Sequence, residues 1–295
     1  AKDMRRAREL LGDYKGKLIA KIEKFDAVSN IDEIIEVSDG IMVARGDLGI
    51  EVPYYDVPTI QKMLIRKSNA KGIPVITATQ MLLSMTQNER ATRAEISDVA
   101  NAVLDGTDIV MLSEESAVGE NPVNVVETMH NIIKQTEKIF DHEKRYKFTY
   151  LDEFDVIQAT VTKLADDLSA DGILSLTSSG NSARKMSRYR PITPLYTFAH
   201  DKETLTGLTA LWGVEPITTV KEAQASKMIQ RMLRSLEKRE ILNKKGLYIC
   251  TVGYPVGIPG STNTIKILTP SEIEFYLNFK ENREKIKTEK KVNLA

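Results

Sequence analysis

The sequence predicts an α/β fold in two successive blocks, and three observations carry that reading. Short apolar strands alternate with amphipathic helices along most of the chain. The strands are apolar almost without interruption, as expected for parallel strands with helices on their faces. The length, 295 residues of which 42% are apolar, suits two domains at about 150 residues each. In the first block, strands are expected at 17–23, 40–44, 74–79 and 108–112, with helices at 2–12, 30–37, 57–70, 93–104 and 122–139. End signals support them: Asn30 ahead of Glu33, Gly72 after Lys71, and Pro122 as a first helical residue. Four strands are too few to close an eight-stranded barrel and are enough for half of one.

The polar run His142 to Lys147 marks a boundary. Beyond it, helices are expected at 154–169, from 182, at 202–210 and at 221–237, and strands at 172–176, 194–198, near Pro216, at 246–252 and at 264–268. The blocks are therefore expected to divide at 1–140 and 141–270, with 271–295 as a charged, solvated tail rich in lysine.

Composition narrows the function. Lys plus Arg and Asp plus Glu each number 41, so no global field draws the chain to nucleic acid or to an anionic membrane. No apolar run approaches the ~20 residues of a membrane span. The single cysteine, Cys250, forms no internal disulfide, which makes a reducing cytoplasm the default. Cys250, His130, His142 and His200 are scattered, so no zinc cluster is expected. Ala1 leads straight into Lys2-Asp3-Met4-Arg5-Arg6, which reads as a helix entered midway and so as a fragment.

Polar groups gather at the carboxyl ends of the four strands in the first block, where α/β barrels carry their active sites. In Lys17-Leu18-Ile19-Ala20-Lys21-Ile22-Glu23 the period of two sets Lys21 and Glu23 on one face. Asp47 arrives just past the second strand, between Gly46 and Gly49. Glu23 and Asp47 offer two hard oxygen ligands, the usual protein share for Mg2+. After the third strand, alternation places Thr77 and Thr79 on one face. Each feature alone also suits a structural role, as a Lys–Glu pair, a helix cap or strand packing.

These stretches resemble pyruvate kinase. The residues that carry the likeness are Ile19-Ala20-Lys21-Ile22-Glu23, Ser38 to Gly49, Ile76 to Met81, and Arg93 to Asp108. The resemblance implies the second half of a (β/α)8 TIM barrel, strands five to eight, followed by a doubly wound regulatory α/β domain. It implies phosphoryl transfer from phosphoenolpyruvate to ADP, giving pyruvate and ATP, with Mg2+ or Mn2+ and with K+, whose ligands would lie in an earlier half of the barrel. By motif position, Lys21 matches the lysine that steadies the phosphoryl group and the enolate oxygen. Glu23 and Asp47 match the metal ligands, and the backbone of Ala44, Arg45 and Gly46 borders the substrate carboxylate. Thr79 matches the substrate-binding threonine near the proton delivered to the enolate, and as a weak acid it is expected to relay that proton from water.

One departure stands out. Where the family most often has Ser-Gly-Glu-Thr-Ala, this chain reads Ser113-Glu114-Glu115-Ser116-Ala117, so the backbone at Glu114 is expected to be ordinary or the loop shifted. In the second block, Thr177-Ser178-Ser179-Gly180-Asn181-Ser182 opens a helix with hydroxyls and amides, a composition suited to an anion. By resemblance this loop would hold the phosphate of an allosteric effector, with the segment 253–263 closing over it. Family members are usually homotetramers, and the helices near Arg45 and at 122–139 are the expected interfaces. Two other readings stay open: a non-catalytic effector-binding or assembly fragment, and a metal-dependent aldolase acting on pyruvate enolate.

Overall fold

In the computed structural model, residues 1–14, 16–142, 147–222, 224–253 and 262–279 are described. They divide into two compact units, 1–149 and 150–295.

The first unit runs α1 (Lys2–Leu11), β1 (Ile19–Ile22), α2 (Phe25–Ser29), α3 (Ile31–Val37), β2 (Gly40–Ala44), α4 (Arg45–Glu51), α5 (Val57–Lys71), β3 (Val75–Ala78), α6 (Arg93–Asp105), β4 (Ile109–Met111), α7 (Glu114–Ala117) and α8 (Pro122–Thr136). The strands form one parallel sheet in chain order, β1-β2-β3-β4. The helix expected over 122–139 ends at Thr136 and tightens into a 3-10 turn, Glu137–Ile139. Helices α2, α4 and α7 were not anticipated, being too short to show a period. Asn30 does not cap α3 with its side chain; it donates instead to the carbonyl of Asp26, because α2 ends directly against it.

The two faces of this sheet differ. Ala20, Ile22, Ile41, Val43 and Val75 pack on one side against Ile31, Ile34 and Ile35 of α3 and Leu64 and Ile65 of α5. The register aligns Lys21, Met42, Ile76 and Ile109 on the other side. That row is half-buried or exposed, and Ile19 in the row before it is 39% exposed. A second core of Met81, Leu82, Met85, Val99, Ala102, Val125 and Met129 fixes the segment after β3 against α6 and α8. Helix α6 starts where the sequence marks it, with Thr92 and Glu95 forming a reciprocal capping box.

The second unit runs α9 (Glu153–Asp167), β5 (Gly172–Thr177), α10 (Asn181–Ser187), β6 (Leu195–Ala199), α11 (Lys202–Gly207), β7 (Val214–Thr219), α12 (Ala225–Lys238), β8 (Tyr248–Gly253), β9 (Thr262–Leu268) and α13 (Pro270–Leu277). The strand order is β7-β6-β5-β8-β9, parallel except for β9, which runs antiparallel to β8. Ile173, Leu195 and Ile249 face Val161 and Ala165 of α9 and Met186 of α10. Leu174, Phe198 and Cys250 face Met232 and Leu233 of α12. Helices thus cover both faces, and the strand order reverses between β5 and β8, which themselves run parallel.

The expected tail from residue 271 starts too early. Helix α13 is fixed by a Thr269–Glu272 capping box, and its Ile273 and Leu277 enter the core beside α12. The reading failed because eight residues show little more than two turns of pattern. The lysine-rich stretch 280–291 and residues 143–146 of the expected boundary lie outside the described residues. Among the described residues, no helix is long and apolar enough to cross a membrane.

Candidate active site

Strand β1 ends by presenting Lys21 and Glu23 on the half-open face, and α4 brings Asp47 to them from the end of β2. The Lys21 ammonium lies 2.6 Å from Glu23 Oε2 and 2.9 Å from Asp47 Oδ2. The hydrogen bond to Glu23, then that to Asp47, raises the Lys21 pKa above its ordinary 10.5. The three residues singled out in the sequence are therefore one cluster. Asp47 sits in the first turn of α4, where the helix dipole favours a negative charge.

The cluster bears on the divalent cation that the resemblance implies. Two carboxylates from different elements converge on one small cation, the ammonium, and both supply hard oxygen. That donor set fits Mg2+ or Mn2+ with water and substrate oxygens completing the shell. Among the described residues, no group of three or more His, Cys, Asp or Glu side chains is placed to hold a metal ion.

Thr79 is placed differently from the expectation. Strand β3 ends at Ala78, and Thr79 and Gln80 both turn to positive φ, 70° and 56°. Alternation therefore stops before Thr79, and Thr77 does not share its face. Thr77 is fully buried, and its hydroxyl donates to Thr107 Oγ1 at 2.9 Å. Thr79 instead turns back toward α4, where its Oγ1 accepts from the Gly46 N–H at 3.0 Å. A left-handed backbone at a β-branched residue is strained, by roughly 1–3 kcal/mol, and persists only where its surroundings hold it.

Arg45 is one of those surroundings. Its Nε and Nη2 donate to the Thr79 carbonyl at 3.2 and 2.9 Å, and Nη2 also to the Gln80 carbonyl at 3.0 Å. Its Nη1 meets Asp98 Oδ2 at 2.6 Å and Gln61 Oε1 at 3.4 Å. The side chain is thus engaged by the protein, and only the backbone of Ala44, Arg45 and Gly46 is left to border a ligand. The Gly46 amide already serves Thr79.

Glu114 opens α7 with helical backbone, so the departure at this position is accommodated by ordinary geometry. The residue that matters there is its neighbour. Glu115 is 1% exposed and accepts from the Leu82 N–H at 3.1 Å and the Ser113 N–H at 2.8 Å, tying the segment after β3 to the one after β4. Sequence reading missed Glu115 and Asp98. A carboxylate pair at a strand end gives no sign of which member turns inward.

In the second unit, the loop Thr177 to Ser182 leaves β5 at the point where strand order reverses, the usual ligand position of an open α/β sheet. Thr177 is buried and its Oγ1 accepts from the Gly180 N–H at 3.0 Å. Gly180 has φ 82° and precedes α10, so that amide is not free for an anion. Ser178 is half-buried and Ser179 exposed, while Asn181 Oδ1 accepts from Arg184 Nη2 at 3.1 Å. Residues 254–261 of the expected covering loop lie outside the described residues.

Comparison with known proteins agrees with both units. The family described as "Pyruvate kinase, barrel domain" matches residues 1–126, and "Pyruvate kinase, alpha/beta domain" matches residues 155–268. Relatives named pyruvate kinase include that of Lactobacillus delbrueckii subsp. bulgaricus, 44% identical over 85% of this chain and 44% of its own length. Those of Clostridium acetobutylicum and Geobacillus stearothermophilus are 42% and 41% identical over 90% and 92% of this chain, and over 58% and 48% of their own lengths. The chain spans about half the length of the curated relatives it matches.

Proposed function

Because the chain belongs to the pyruvate kinase family, we propose that its first unit supplies half of a site transferring the phosphoryl group of phosphoenolpyruvate to ADP. The products are ATP and, after one proton is added to the enolate carbon, pyruvate. The observation that carries this reading is the convergence of Lys21, Glu23 and Asp47 at the strand ends, with the Thr79 hydroxyl held on the amide of Gly46, the residue before Asp47.

Phosphoryl transfer depends on positioning and charge neutralisation more than on covalent chemistry. Lys21, charged at neutral pH as any ordinary lysine is and held more firmly so by its two carboxylates, balances charge on the moving phosphoryl group and then on the enolate oxygen. Glu23 and Asp47 would hold the divalent cation, which when bound would supply Lewis-acid stabilisation of charge on oxygen. The backbone at the start of α4 borders the substrate carboxylate, with the Gly46 amide given to Thr79. The Thr79 hydroxyl, fixed by the Gly46 N–H, relays a proton from water to the enolate carbon. No residue of this chain is assigned to K+.

The sheet supports reading the first unit as strands five to eight of a (β/α)8 barrel. Edge strands β1 and β4 each pair on one side only among the described residues, and open edges call for a partner. The Lys21–Met42–Ile76–Ile109 face would line the barrel interior. The second unit we read as a regulatory domain that takes a phosphorylated effector at Ser178 to Ser182, within a cytoplasmic homotetramer.

A coupled assay of pyruvate formation tests the reading. The 295-residue chain alone should show no turnover, and the chain assembled with a polypeptide carrying the other half-barrel should turn over phosphoenolpyruvate with ADP. Family-like turnover by the chain alone contradicts the half-site. No turnover from an assembly verified by sedimentation contradicts the activity.

A further inference from the structure

Two consecutive residues without glycine's freedom, Thr79 and Gln80, adopt positive φ at the end of β3. Nothing local in Ala78-Thr79-Gln80-Met81 favours that turn, so its cause lies in what grips it. Two contacts grip the turn itself, and a third anchors the chain at Leu82 just past it. The Arg45 guanidinium, 9% exposed, donates to the Thr79 and Gln80 carbonyls and is itself pinned by Asp98. The Gly46 amide, one residue along, donates to the Thr79 hydroxyl. On the far side, Glu115 accepts from the Leu82 amide and ties it to Ser113.

We propose that Arg45 and Glu115 are positioning residues that hold the Thr79 turn left-handed, and through it aim the Thr79 hydroxyl into the site. Neither side chain needs to touch substrate. Arg45 suits the task because its planar fork reaches two successive carbonyls while a third nitrogen meets a carboxylate, which a lysine ammonium does not reproduce. Glu115 suits it because a buried carboxylate with two backbone amides fixes two loops at once. The catalytic part of this inference rests on the proposed phosphoryl transfer. The conformational part does not.

The experiment has two arms. In the 295-residue chain, isotope-edited NMR reads the Thr79 backbone coupling and hydrogen exchange at Gly46 and Leu82. In Arg45→Met, Gly46 exchange should rise at least about tenfold and the Thr79 coupling should lose its positive-φ value, while Ile41 and Val43 stay protected. In Glu115→Gln, Leu82 exchange should rise in the same way. Unchanged exchange and coupling in both variants overturns the proposal, whatever the activity.

In the assembled enzyme, Arg45→Met should lower kcat by about 10²-fold with the KM for ADP unchanged. Arg45→Lys should fail to rescue it. An Arg45→Met enzyme with wild-type kcat overturns the aiming role. A wild-type assembly without turnover removes the proposed function instead, and the NMR arm still decides the turn.

Discussion

Lys21 joins the two carboxylates of the proposed site. In this structure it neutralises two carboxylates that would otherwise repel each other, and the hydrogen bonds to Glu23 and Asp47 hold it protonated. Its pKa is raised, so its contribution is fully present below about pH 10.5 and fades only as pH rises through the folded value. Activity near neutral pH should therefore not follow its titration. Glu95 has the opposite sign. Desolvation pushes its pKa up, but hydrogen bonds from the Ser84 hydroxyl and amide and from Thr92 outweigh this and hold it below its ordinary 4.5. Its contribution is present above pH 4.5 and is lost as pH falls through the folded value. Urea titrations of wild type and Glu95→Gln should differ most at neutral pH and converge under acid. A constant difference contradicts the assignment. Lys21, Glu23 and Asp47 were legible in the sequence because strand period alone aligns the first two and glycines flag the third. The Thr79 turn was not legible, because it depends on Arg45 and Glu115, which lie 34 residues before and 36 after it.

At the scale of elements, long helices announced themselves and short ones did not. Helix α5 has Pro58 in its first turn and α6 has its capping box; both were found within a residue or two. Helix α4, which carries Asp47, has seven residues and two glycines, a composition that reads as a loop. It is helical because the end of β2 feeds directly into it and buries Leu48. Helix α13 teaches the same lesson with a larger consequence, since it closes the core of the second unit. Ile273 is fully buried there, so Ile273→Ala should destabilise the second unit by about 2–5 kcal/mol. Thermal or urea unfolding of that variant checks it. A change under ~0.5 kcal/mol, the size expected of an exposed site, would return this segment to the tail.

For the whole molecule, zero net charge means that attraction for phosphates must be local. In the proposed function it would come from Lys21 and from the cation that Glu23 and Asp47 would hold. Fold class was readable from alternation alone, because parallel strands buried on a helix-covered face need apolar runs. The proposed phosphoryl transfer at Lys21, Glu23 and Asp47 makes Lys21→Met the decisive variant. In the assembled enzyme, with circular dichroism unchanged, pyruvate formation should fall by about 10²–10³-fold in kcat, the scale for removing one electrostatic stabiliser. Wild-type kcat in Lys21→Met would rule out that role for the cluster.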